Sequence, residues 1–179
     1  MPDPPHPYLL HFSEDATITR FDPRPLPGKP DGDALVWGIA PDRAALYLFP
    51  RDCPRVGYWA TKTTSASDRY RFLSQTAAAR VLVIESAWVQ RLCACELFAY
   101  HLPSDTFLPG GMEGYYTSKA PVIPHSVLPV GDLLAALAAE NAELRITPSL
   151  WPLHDALLDS TLHFSMVRMR NAAPRLSEK

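Results

Sequence analysis

The chain has 179 residues, 47% of them hydrophobic and 20% charged, with a net charge of −2 at neutral pH. That is a foldable domain's worth of sequence, so disorder is excluded as the default, and the missing basic excess argues against phosphate neutralisation as its task. No apolar run approaches the ~20 residues of a membrane helix, and MPDPPHPYLL lacks the basic start and apolar stretch of a signal peptide, so a cytoplasmic protein with no membrane partner is expected.

In chain order, residues 1–7 read as a flexible arm and Tyr8–Phe12 as a short buried strand turned by Ser13, Glu14 and Asp15. Ile18 and Phe21, three apart, suit a helical turn over Ala16–Phe21, and the composition of Pro25–Asp33 makes a loop. Ala34–Ile39 is a run of β-formers, followed by a helix over Asp42–Leu48 with Pro41 at its first position and Pro50 ending it. A strand over Val56–Ala60 leads to a helix over Asp68–Ala79 capped by Ser67. Arg80–Glu85, RVLVIE, is the clearest strand, and a short helix over Ala87–Leu92, capped by Ser86, follows it. Cys95–Leu102 alternates like a strand, Ser104–Gly114 is a Gly-rich loop, and Tyr115–Ser118 and Val122–Val127 are short extended pieces. Leu133, Leu134, Leu137 and Ala138 mark a helix over Val130–Ala142. Glu143–Thr147 as strand, Pro148–Asp159 as helix, and Leu162–Met169 as strand complete the pattern, with a polar tail over 171–179.

Nineteen prolines spread along the chain predict many short connections. Strands outnumber long helices and mix with them irregularly, so the expected fold class is α+β: a single globular domain over 8–170, with a split, mostly antiparallel mixed sheet flanked by short helices.

The chemistry is sparser. Cys53, Cys93 and Cys95 are an odd number, which fits no disulfide framework, and neither a CxxC nor an HxxxH spacing is present, so no metal is expected. Cys53 lies between Arg51 and Arg55, which would activate its thiol if all three shared a face, or it is a small buried hydrophobe. The GxSxG elbow, the dinucleotide GxGxxG and the phosphate-binding GxxxxGK are absent. His11 shares a strand face with Ser13 and serves either as a structural histidine or as a hydrogen-bonding group at a cleft. Arg20, Arg24, Arg51 and Arg55 are either a phosphate clamp or partners of the neighbouring Glu14, Asp15, Asp22 and Asp52.

The runs HFSED with FDPR, LVWGI with LYLFPRDCPR, YYTSKAPVIP and FSMVRMRNA resemble an uncharacterised bacterial family over nearly the whole chain. Leu9–Ser13, LLHFS, also resembles the first strand of the ADP-ribosyltransferase-like fold, which includes RNA 2′-phosphotransferases; Leu35–Ile39 with the following helix resembles its second motif. That resemblance implies two small sheets around a cleft that holds NAD. Tyr47 would be the aromatic against nicotinamide, with Trp37 and Tyr58 as other occupants of that role. Glu113 would be the catalytic carboxylate with His11, which would also hold the ribose hydroxyls; Ser13 would be a further cofactor-binding residue, and Arg20 or Arg51 would hold the pyrophosphate. The expected function is nucleotide binding, with NAD-using ADP-ribosyl or RNA 2′-phosphate transfer as the implied reaction. The alternative is a non-catalytic binding module that keeps the fold without the acid.

Overall fold

Strand β1, Tyr8–Ser13, has a partner on each side: β2, Val36–Ile39, through Leu10 opposite Ile39, and β5, Phe98–Pro103, in register from Tyr8–Pro103 to Ser13–Phe98. Both faces of this central strand are covered, which is why Leu9 and Leu10 are both buried despite pointing in opposite directions. Leu9 packs with Val36, Tyr100, Leu102, Phe107 and Val122; Leu10 packs on the other face with Ile39 and Ala44. In this computed structural model, which describes residues 6–25 and 32–175, the antiparallel sheet is completed by β6 (Leu108–Pro109), β7 (Tyr115–Ser118) and β8 (Ser126–Pro129), giving the order β6-β7-β2-β1-β5-β8. Both edge strands end in proline, which offers no donor to a further strand. Gly38 makes close packing possible inside β2: a Cβ there would lie 3.1 Å from side-chain atoms of both Leu9 and Phe107, which would have to give by a few tenths of an ångström.

The second sheet has the order β10-β3-β4-β9, from β3 (Arg55–Trp59), β4 (Arg80–Glu85), β9 (Ala142–Thr147) and β10 (His163–Val167). Its β4–β9 pair is parallel and the other two are antiparallel. Helices α1 (Ala66–Leu73), α2 (Val89–Cys93), α3 (Leu133–Ala139) and α4 (Trp151–Leu158) belong with this sheet. On one face, Val56, Tyr58, Val81, Val83, Leu150, Leu157 and Leu162 form its core. The two sheets define two compact units: Met1–Leu48 with Glu96–Gly131, and Phe49–Cys95 with Asp132–Lys179. The α+β class and the mostly antiparallel split sheet expected from the sequence are both present.

Several local expectations change. Ala16–Phe21 is not helical, because short polar side chains capture its backbone: Thr17 N–H donates to Asp15 Oδ1 at 2.8 Å and Asp15 N–H to Ser13 Oγ at 3.1 Å. Phe21 instead bridges Val122 in both directions, at 2.8 and 2.9 Å, so Val122 leaves the predicted strand and β8 begins only at Ser126. The segment Pro41–Tyr47 is a 3-10 helix rather than an α-helix. Helix α1 is capped by Ser65, not Ser67, through its Oγ and the Asp68 N–H. Helix α3 starts at its Asp132 cap and ends before Asn141, whose φ of 50° is left-handed. The Gly-rich loop holds strand β6.

The tail expected to be loose from 171 is tied down as far as Arg175. Ala173 N–H donates to the buried Glu85 carboxylate at 2.9 Å, and Trp151 Nε1 donates back to the Ala173 carbonyl at 2.6 Å. The arm over 1–5, most of the Pro25–Asp33 loop and residues 176–179 lie outside the described residues.

Candidate functional site

The first unit holds five of the six residues singled out from the sequence, two of them, His11 and Ser13, on its central strand. His11 lies on the Leu9 face of β1. Its Nδ1 donates to the Trp37 carbonyl at 3.0 Å, and its ring leans on Phe21 at 4.7 Å between centroids. A carbonyl only accepts, so Nδ1 carries a proton. Ser13, on the same face, is buried and accepts the Asp15 N–H. Arg20 pairs with Asp22 at 2.7 Å, with both side chains more than half exposed. That is the local ion pair with a neighbouring carboxylate. Arg24 ties its backbone to Leu35. Arg51 belongs to the second unit, where its carbonyl accepts from Arg168 Nε at 3.3 Å.

Tyr47 lies on the opposite face from His11, against the Leu10 and Ile39 cluster, with its ring edge-on to Tyr115 at 6.3 Å. His11 and Tyr47 are therefore not brought together. Glu113 occupies the turn between β6 and β7. Its carboxylate is 3.3 Å from Arg43 Nη2, with the glutamate side chain 83% exposed and the arginine 7%. Arg43 is the residue missed from the sequence, since an arginine on a short helix reads as solvated. It runs beneath Gly114, where a Cβ would come within 2.7 Å of the arginine side chain, and the Gly114 φ of +79° is itself one that L-residues avoid. The turn is fixed by Ala40 N–H on the Gly114 carbonyl at 2.8 Å and Gly110 N–H on the Tyr115 carbonyl at 2.7 Å. The outcome is one guanidinium, two exposed carboxylates (Glu113, and Asp42 at 3.8 Å from Arg43 Nε) and two half-buried tyrosines.

The thiol reading is overturned. Cys53 is fully buried, and desolvation pushes its thiol up to about 12, outweighing the nearby Arg55 charge. Arg55 itself is buried, donating to the Cys53 carbonyl at 3.1 Å and lying over Phe49 at 5.3 Å. Among the described residues no cluster of three or more His, Cys, Asp or Glu could hold a metal, and no helix is long and apolar enough to cross a membrane.

The second unit carries a further polar cluster that sequence distance hid. Asp68 Oδ2 accepts from Ser65 Oγ, Thr161 N–H and Thr161 Oγ1 at 2.9, 2.8 and 2.6 Å, which holds its carboxyl below the usual range. Beside it, the His163 ring stacks on Trp59 at 4.8 Å, and Arg80 lies 5.4 Å from the same indole. These three residues are cross-strand neighbours on β10, β3 and β4.

Residues 10–172 match a family described as a family of unknown function (DUF6886). No curated protein and no solved structure matches the chain.

Proposed function

The chain belongs to the family of unknown function DUF6886, and within it we propose a nucleotide-binding module that binds without transferring a group. The ligand's phosphates would go to Arg43 and its planar part to Tyr47 and Tyr115. The observation that carries this reading is a buried guanidinium whose exposed partner, Glu113, sits on a turn flanked by half-buried aromatic rings. Arginine matches phosphoryl oxygens through a planar fork of donors, and tyrosine offers a flat apolar face. An incoming phosphate would displace Glu113, whose side chain is free to swing into water.

NAD-using ADP-ribosyl or RNA 2′-phosphate transfer needs His11, an aromatic and an acid around one cleft. What favours binding alone is that His11 and Tyr47 lie on opposite faces, and that Glu113 already serves as a counterion. A carboxylate in that role neutralises Arg43 rather than a developing cation.

Thermal shift with AMP, ADP, ATP, NAD and ADP-ribose tests the proposal. A ligand at one hundred times its dissociation constant adds about 2.7 kcal/mol and raises the melting temperature. Arg43→Met is expected to abolish the shift, Tyr115→Ala to reduce it, and Glu113→Gln to preserve or enlarge it. Nicotinamide release from NAD that disappears in Glu113→Gln would reverse the reading in favour of transfer. No shift with any of the five would end it.

A further inference from the structure

We propose that an open recess in the second unit binds a neutral polyhydroxylated ring of monosaccharide size. The recess, about 370 Å³, is lined by Thr61, Thr63, Thr161, Leu162, His163 and Phe164. That volume is at the small end of those that hold organic ligands. It lies where β3 ends and β10 begins, so the loops that form it start from adjacent strands. The proposal is independent of the nucleotide reading, because none of its residues belongs to the Arg43 cluster.

The chemistry of the walls selects the ligand. Thr161 Oγ1 donates to Asp68 and accepts the Ser65 N–H at 2.9 Å, which fixes its rotamer and leaves one lone pair. Thr61 and Thr63 hydroxyls are 2.9 Å apart and share one hydrogen, so the pair keeps acceptor capacity. Sugar hydroxyls, which both donate and accept, complement such a set. Leu162 and Phe164 supply apolar surface for the C–H face of a ring. His163 is held nearly parallel to Trp59, at 14°, giving the rim a rigid flat side.

Charged ligands fit less well. An anion would meet the Asp68 carboxylate that accepts from Thr161 Oγ1, and the nearby Arg69 guanidinium is already engaged by the Thr61 carbonyl. A cation would be desolvated against a lining that contributes no carboxylate of its own.

The test is saturation-transfer NMR on the full chain with methyl glucoside, methyl galactoside and methyl mannoside. Dissociation constants are expected in the range of roughly 1–10 mM, as for one small ring. At least one glycoside should give saturable transfer, accompanied by a shift of the His163 ring protons. Thr63→Val keeps the side-chain shape and removes one hydroxyl from an exposed position; it should weaken binding by about tenfold. His163→Ala should do the same, with near-UV circular dichroism checking that each variant is folded. Absence of saturable transfer from all three glycosides overturns the proposal. So does binding that survives both substitutions, or cyclohexanol binding as tightly as the sugars.

Discussion

Tyr100 shows how a single side chain sets local structure in this protein. It is fully buried, its hydroxyl donates to the Asp15 carbonyl at 2.6 Å, and it accepts the Ile18 N–H at 3.2 Å. Those two bonds tie the Asp15–Ile18 backbone to β5. Tyr100→Phe keeps the ring and removes both bonds, leaving the Asp15 carbonyl and the Ile18 N–H, both partly accessible to water, without their partner; we expect a loss of about 0.5–1.5 kcal/mol in urea unfolding. The ring face against Phe21, 5.2 Å away, would remain, so an unchanged midpoint would show that water replaces the hydroxyl. Cysteine reactivity makes a second test at this scale. Cys53 is buried with its thiol near 12, whereas Cys93 is exposed. Iodoacetamide at pH 7.5 should therefore modify Cys93 in the folded protein and reach Cys53 only after denaturation, as read by peptide mass spectrometry.

At the scale of elements, α4 and the C-terminal segment form one fastening. Arg175 makes a two-pronged pair with Asp155 at 2.7 and 2.9 Å and covers the Trp151 ring at 4.2 Å, while His154 Nδ1 lies 2.8 Å from the same carboxylate. Chiefly through Arg175, and then His154, the Asp155 carboxyl falls to about 2 from an ordinary 3.8. A depressed carboxyl pKa contributes stability that is complete above its unfolded value. Hydrogen exchange at Ala173 should thus be constant above about pH 5 and accelerate, relative to its intrinsic rate, as pH falls from near 4 toward 2. Asp155→Asn should weaken that dependence, leaving whatever part the Glu85 carboxylate that accepts from the Ala173 N–H contributes. The elements themselves were largely legible: RVLVIE forms a strand at its predicted limits, and Tyr115–Ser118 does too. Both are runs of β-formers between turn residues, a local signal. Caps were legible in type but not in position, since Ser65 and Ser67 are equally good oxygens and only the Asp68–Thr161 cluster selects the first. The candidate site was less legible for the same reason. Arg43 is buried by a turn some seventy positions away, and Thr161 meets Asp68 across 93 residues. Nothing in a local pattern reports such meetings.

For the whole molecule, the interleaving of the two units decides what can be separated. The chain leaves the second unit after Cys95 and returns at Asp132, and the inserted stretch is closed at its base by Val130 N–H on the Leu97 carbonyl at 2.8 Å. Residues 49–97 joined by Asn-Gly to 130–175 should therefore retain the core of Val56, Tyr58, Val81, Val83, Leu150, Leu157 and Leu162. A single cooperative calorimetric transition is expected for that chain; a gradual loss of ellipticity would show that its core depends on the first unit. The parallel pairing of β4 with β9 also has a meaning in time. The ribosome makes β4, fully apolar through Val81–Ile84, long before it makes β9, with the inserted strands in between. At the usual elongation rate that interval is roughly 3–10 s. During it the β4 edge that β9 will cover has no strand partner, so the nascent chain passes through a window of exposure to aggregation that the stability of the finished fold does not shorten.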